Sequence, residues 1–463
     1  MRTNKNKVVE PVYTGGGAVA SNISPEFALR RAVLTHFLWE DSAYETGTDT
    51  ANNIASLIPK VKASVVADIA KEARSKQYLR HVPLFIVKEM VKHDSHKPYV
   101  AETLSNVIQR ADELSEFLSL YWKDGKVPIA SSVRKGLSTA LTKFDEYQLA
   151  RYAGESKDIK LKDVIKLVHP KPENKSQSKL WKAVIEGNLK TPDTWEVELS
   201  ENGNNKESWT RLLNEGKVGG LALLRNLRNI QTAGVDDDVI ERAIATNKFK
   251  YVLPFRFMTA ARYAPRFQRD LEKAMIRGLN DQEKLKGKTV VVVDISGSMG
   301  ATMSGFSENT RADIAMSIAI IIREIAENAV IYATAGNDGT GTHATVRVDN
   351  PRHGLELISQ INNCRSEVGS GGIFLRQCCD YISQQESNVD RLIVISDSQD
   401  CDHTIRKGPQ HSNPFAKKFN YVIDIANNQN GVGYDKFIVI NGFSEKIVDF
   451  IKLYEDFCTK AKV

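Results

Sequence analysis

Residues 294–300 read DISGSMG and follow directly on the run TVVVV. In an extended segment alternate side chains point the same way, so the carboxylate of Asp294 and the hydroxyls of Ser296 and Ser298 converge on one point. Hard oxygen donors of this kind suit Mg²⁺ or another hard divalent cation. A second aspartate, Asp397, ends another apolar run in LIVISDSQD and completes the candidate ligand set, directly or from one shell out. Two other readings of the loop are weaker. A bare serine-rich turn would not need both aspartates at the ends of strands. A serine nucleophile would need a GxSxG elbow and a histidine placed beside it by motif, and neither Ser296 nor Ser298 has them.

A different chemistry is written into the first half of the chain. The stretch SVRKGLSTALTKFDEYQLARYAGESKDIKLKDVIKLVHPKP (132–172) gathers Arg134, Lys135, Lys143, Arg151, His169 and Lys171. Positive groups at helix ends and in turns can meet phosphates without being buried. LLRNLRNIQ (223–231) adds Arg225 and Arg228 at i, i+3. In PFRFMTAARYAPRFQRD (254–270), Arg262, Arg266 and Arg269 share a helical face if the helix runs through Pro265, with Phe255, Phe257, Tyr263 and Phe267 interleaved. Arginine with aromatic side chains is a means of clamping single-stranded RNA. For each residue alone a solvated face or an apolar core is the simpler reading; the clusters carry the argument. His93 and His96 form no ligand set and read as surface.

These residues must be held by two kinds of element. From Pro25 to about Asn280 apolar residues recur at three- and four-residue spacing, as in VKASVVADIAKEARS and SVRKGLSTALTKF, with short polar breaks. Many short helices in succession predict an α-solenoid of stacked pairs. KPENKSQSK (171–179) and SENGNNKES (200–208) read as loops between them, and residues 1–24 as a flexible polar arm. Near Gly287 the period changes. KTVVVVD is a continuous β-branched run, as in a strand buried on both faces. RADIAMSIAIIIREIAEN is an apolar helix; AVIYAT and HATVRV flank the turn signal NDGTG; RLIVISD, NYVIDI and KFIVING are further strands. Strands alternating with helices predict a doubly wound, mostly parallel sheet with one antiparallel edge strand.

Composition sets outer bounds. The 463 residues suffice for two or three domains. No stretch of 18 apolar residues predicts a membrane span, and the N-terminus lacks the apolar stretch of a secretory signal. Five cysteines without CxxC spacing point to neither zinc nor a disulfide framework, so a reducing, cytoplasmic setting is expected. Charge is uneven. Residues 1–285 hold 45 Lys and Arg against 36 Asp and Glu, whereas residues 286–463 hold 18 against 21. The basic part favours a polyanionic partner.

DISGSMG, the Gly-rich VGSGGIF (368–374) and ISDSQD in this order resemble a von Willebrand factor A domain with its metal-ion-dependent adhesion site. Asp294, Ser296, Ser298 and Asp397 match that pattern. The family's threonine is replaced by Ile373, which has no oxygen to give, so the site loses a ligand or borrows Ser370 or water. RKGLSTALTKF, LARY, LVHPKP and LLRNLRNI ahead of that domain are similar to the Ro ribonucleoprotein autoantigen family, a TROVE module joined to a von Willebrand A domain. The resemblance covers about residues 25–463. It implies an arm over 1–24, a TROVE domain of HEAT-like helical repeats forming a ring over 25–285, and the A domain over 286–463. The short loops fit a bacterial or phage member.

The same resemblance implies a noncatalytic protein that binds small structured Y-like RNA on a basic outer surface. Single-stranded 3′ ends of misfolded RNA would enter a central hole, and an exoribonuclease would be the working partner of a monomer. Lys143 and His169 match the positions that the family uses on Y RNA, and Arg134 and Lys135 a neighbouring basic motif. The rival is a protein-interaction adaptor whose A domain captures an acidic residue through Mg²⁺. A metal-dependent enzyme is disfavoured because no general base accompanies the loop.

Overall fold

The computed structural model describes residues 24–35, 47–153, 158–249, 252–280, 283–303, 308–402, 415–426, 437–442 and 447–460. Residues 1–23, the bulk of the expected N-terminal arm, lie outside them. Helices fill the chain up to residue 280. The first ten are α1 (Pro25–Thr35), α2 (Gly47–Leu57), α3 (Ala63–Ser75), α4 (His81–Met90), α5 (Lys97–Val107), α6 (Asp112–Tyr121), α7 (Ser131–Leu141), α8 (Glu146–Ala150), α9 (Leu161–Val168) and α10 (Lys175–Glu186). Then come α11 (Trp195–Asn202), α12 (Lys206–Asn214), α13 (Gly220–Thr232), α14 (Asp237–Thr246), α15 (Pro254–Tyr263) and α16 (Gln268–Asn280). No described helix is long and apolar enough to cross a membrane.

The helices form where the 3.6-residue period says they should. In α9 the buried residues are Leu161, Val164, Ile165 and Val168, at i, i+3, i+4 and i+7. Two polar runs expected to be loops are in large part helix. Asn174 accepts a hydrogen bond from the Gln177 amide at 2.9 Å and starts α10, and Asn205 accepts from the Ser208 amide at 2.8 Å and starts α12. Polar residues here are caps and first turns rather than connections. His96 is another correction: it is 2 % exposed, with its ring 5.6 Å from that of His93.

The sheet begins at β1 (Leu285–Asp294) and continues with β2 (Ala326–Asn337), β3 (Thr342–Arg347), β4 (Arg391–Ser396), β5 (Phe419–Asp424) and β6 (Ile438–Asn441). Its order is β3-β2-β1-β4-β5-β6. All neighbours are parallel except β2 and β3, which pair antiparallel across the NDGTG turn. Around it lie α17 (Arg311–Ile325), α18 (Glu356–Asn363), α19 (Arg365–Val368), α20 (Leu375–Gln385) and α21 (Ile447–Lys460). Val290 to Val293 are fully buried, as a central strand covered on both faces requires. The strand order reverses between β1 and β4, so their carboxyl ends flank the crevice where ligands bind in open α/β sheets.

Two apolar cores organise the helices. One holds residues from Leu29 to Val184. The other takes in Leu34 of α1 and runs from Trp209 through Leu279 and on into the sheet as far as Ile451, so α12–α16 share a core with the α/β unit. α15 and α16 pack on α17. At the other end of the helical run α1 packs on α21, where Phe27 lies 4.2 Å from Phe457 and 5.9 Å from Tyr454 between ring centroids. Arg31 also donates to the Val439 carbonyl on β6 at 2.9 Å. The helical arc therefore returns to the α/β unit at both ends.

Gly136 in α7 tests the packing of α7 on α5. A Cβ at this position would lie 2.9 Å from both the Ala101 carbonyl oxygen and Leu104 Cβ. Gly136→Ala gains about 1 kcal/mol of helix propensity but overpacks against backbone, which costs about 1–3 kcal/mol. The expected outcome is a lower denaturation midpoint; a raised midpoint would mean that α5 and α7 separate at no cost.

Candidate nucleic-acid interface and metal-like crevice

The crevice at the ends of β1 and β4 brings the four expected residues together. Asp294 is fully buried. Its Oδ1 accepts from the Ser296 amide at 2.8 Å and its Oδ2 from the Ser396 hydroxyl at 2.7 Å. The hydroxyls of Ser296 and Ser298 lie 3.3 Å apart. Burial, with the charge of Asp397 second, pushes the Asp294 carboxyl up to about 6. The VGSGG loop closes over the site: a Cβ on Gly297 would sit 2.7 Å from the Ser370 carbonyl oxygen.

Two features depart from a cation shell. Ile373 is 1 % exposed and packs with Val290, Val292 and Leu375 in the core on one face of the sheet, so its position supplies hydrocarbon and no oxygen. Asp397, also fully buried, already holds a cation: its Oδ2 accepts from Arg311 Nη1 at 2.8 Å, and that guanidinium is 3.5 Å from the Ser298 carbonyl. What remains is the two serine hydroxyls and Asp397 Oδ1, which finds no hydrogen-bond partner among the described residues. Three oxygens are half of the six that Mg²⁺ prefers. Among the described residues no three His, Cys, Asp or Glu side chains gather to hold a metal. The donor set does not fit the Mg²⁺ site that the sequence pattern implies.

The basic candidates divide sharply. Arg134, Lys135, His169 and Lys171 line one concavity of about 470 Å³ with Ser131, Ser138, Thr139 and Thr142. α7 supplies the first pair and the end of α9 the second. His169 caps α9 in the left-handed region, φ 51°, its amide donating to the Ile165 carbonyl at 3.0 Å. That conformation turns the chain toward Pro170 and leaves the imidazole exposed. None of these four side chains has a carboxylate partner among the described residues; Glu173 is the one acidic residue on the rim.

Lys143 and Arg151 stand apart. The Lys143 ammonium donates to the carbonyls of Ser105 and, at 3.2 Å, Ile108, at the C-terminal end of α5. Burial of this group pulls its pKa down. Arg151 lies over the Tyr152 ring and 3.6 Å from Glu196.

A second concavity, of about 180 Å³, joins two motifs that the sequence kept separate. Arg225 and Arg228 of α13 face Arg256, Thr259 and Tyr263 of α15. The Arg228 guanidinium sits 5.4 Å over the Tyr263 ring, which is 42 % exposed. The Tyr263 hydroxyl donates to Glu308, which holds its pKa up. Phe255, Phe257 and Phe267 are core. The shared face of Arg262, Arg266 and Arg269 does not exist: α15 ends at Tyr263, a single 3-10 turn carries Pro265, and α16 starts at Gln268. Arg262 instead pairs with Asp313 at 2.9 Å, Arg266 pairs with Asp237, and Arg269 is exposed on α16. Arg256 was missed, although its spacing from Thr259 and Tyr263 (i, i+3, i+7) marks one helical face.

Lys143→Met removes two bonds to backbone carbonyls, each worth about 1 kcal/mol. It should lower the melting temperature, whereas His169→Ala should leave the melting curve in place. Equal melting of both variants would show that the Lys143 bonds carry nothing.

With this geometry in hand, the comparisons agree. Residues 175–303 match the TROVE domain family. Telomerase protein component 1 of Rattus norvegicus is 37% identical over 82 residues, 16% of this chain, and that of Mus musculus is 35% identical over the same length. The match spans only 3% of those relatives. The crystal structure of the Deinococcus radiodurans Ro protein superimposes with a TM-score of 0.63 at 17% identity, over 92% of this chain and 99% of that one. Helical repeats joined to a von Willebrand A-like α/β unit are thus the fold of this chain. The likeness to the Ro family read from its motifs is borne out by a TROVE domain over residues 175–303 and by the fold of a bacterial Ro protein.

Proposed function

We propose that the protein is a noncatalytic RNA-binding protein of the Ro type. Small structured Y-like RNA binds the concavity of Arg134, Lys135, His169 and Lys171, and single-stranded 3′ ends of misfolded RNA bind at Arg225, Arg228, Arg256 and Tyr263. In this reading it serves RNA quality control in the cytoplasm as a monomer and presents bound ends to an exoribonuclease. The carrying observation is the first concavity: three cations and a histidine converge there with no carboxylate partner among the described residues. Elsewhere among the described residues many basic side chains are held by acidic neighbours, as Arg211 and Lys217 are by Asp193 and Arg266 is by Asp237. Unpaired cations around a hollow favour a polyanion. The second concavity adds an exposed ring under a guanidinium, the pairing that grips an unstacked base. All five cysteines are free thiols, in keeping with a reducing compartment. The adaptor reading has less behind it, because Arg311 and Ile373 occupy the positions that metal capture would need.

Titration of a structured RNA carrying a 3′ tail separates the two sites. Arg134→Ala with Lys135→Ala should weaken binding and flatten the salt dependence by about 1 per phosphate contact removed. Arg228→Ala with Tyr263→Ala should cost about tenfold on a single-stranded tail and little on the folded part. Affinity unchanged in both variants, or insensitive to salt in the wild type, would end the proposal. Labelled RNA incubated with protein and Mg²⁺ should stay intact.

A further inference from the structure

We infer that Arg311 is the resident cation of the DISGSMG crevice, so that this A-type unit works without a divalent metal. The geometry is specific. Arg311 is the first residue of α17, placed by the capping box in which Thr310 accepts from the Asp313 amide at 3.1 Å and Asp313 accepts from the Thr310 amide at 2.9 Å. From there its side chain, 8% exposed, enters the crevice and meets Asp397, whose side chain is 0% exposed. Two fully buried carboxylates, Asp294 and Asp397, face this space. Buried carboxylates persist only when compensated. A divalent cation would be one means; a guanidinium fixed on a rigid helix is another.

The remaining substitutions follow the same logic. With a guanidinium in the crevice, an oxygen from the middle loop has nothing to coordinate, and Ile373 instead fills the core beside Val290 and Val292. Asp294 has both oxygens satisfied by the protein, at 2.8 Å and 2.7 Å. Planar guanidinium suits a carboxylate as a directional partner, and it cannot be deprotonated or chelated away. The crevice is therefore permanently charged from within. It would neither respond to chelators nor lend an open coordination position to a partner's carboxylate. This holds whether or not RNA is the protein's ligand.

The experiment uses the full chain and Mn²⁺ or Mg²⁺ as the only added probe. Wild-type protein should leave the electron paramagnetic resonance signal of free Mn²⁺ undiminished. Its melting temperature should be the same in EDTA and in excess Mg²⁺. Bound Mn²⁺ lost in Asp294→Asn, or a Mg²⁺-dependent rise of about 2–4 °C, as for a ligand well above its Kd, would overturn the inference. Arg311→Thr combined with Ile373→Thr empties the arginine's place and returns an oxygen to the middle loop. That variant should acquire Mn²⁺ binding and a Mg²⁺-dependent melting temperature. If it folds by circular dichroism and still ignores both ions, Arg311 is not standing in for a metal. If it does not fold, the wild-type measurements alone decide.

Discussion

The architecture depends on one sandwiched helix. Of the fifteen residues of α17 only Arg323 escapes burial. A helix apolar on every side must be covered on every side, and here the sheet covers one face while α15 and α16 cover another. Ile314, Ile318, Ile321 and Ile325 belong to the same core as Phe257, Leu271 and Val291. The α/β unit is thus not an appendage of the helical arc. Removing either would strip water-excluding cover from the other. The same arrangement carries the chemistry, since α15 lends Tyr263 to the second concavity and α17 lends Arg311 to the crevice.

Charge pairing, more than charge counting, distinguishes the surfaces. Arg211 and Lys217 surround Asp193, whose carboxyl they hold down at about 2. Arg262, Arg266 and Lys206 likewise lie on Asp313, Asp237 and Asp236. Asp313 is buried on α17; the other pairs are exposed and add little to stability, and their effect is to cancel field locally. Against that local cancelling, the basic side chains on α7 and after α9 that make no ion pair among the described residues line one hollow, and a polyanion would settle there. Net charge alone could not have located them, because the paired and unpaired arginines look alike in sequence.

Much of the fold was legible in the sequence for reasons that are local. A β-branched run bounded by an aspartate gave β1, and the NDGTG turn gave the antiparallel edge. Local signals also contained what was overlooked. Asn174 and Asn205 are N-caps in plain view, yet the polar runs around them read as loops. The face expected for Arg262, Arg266 and Arg269 was conditional on Pro265, and proline won. What could not be read is what depends on distant partners. Lys143 reaches carbonyls more than thirty residues earlier. Arg311 sits in RADIAMSIAIIIREI, where the eye takes an apolar helix, and its partner comes 86 residues later. The metal-site pattern was matched in four positions, but the tenant of the space is outside the pattern.

Arg311 also occupies the end of α17 where aligned peptide dipoles leave partial positive charge, a poor place for a cation. Asp313 in the first turn and Asp397 at the tip of β4 offset this. The start of the helix is therefore electrostatically conditional on a strand formed much later in the chain. In the folded state the helix that backs β1 is thus tied by charge to the tip of β4, so a change at either end of that ion pair is felt by the other.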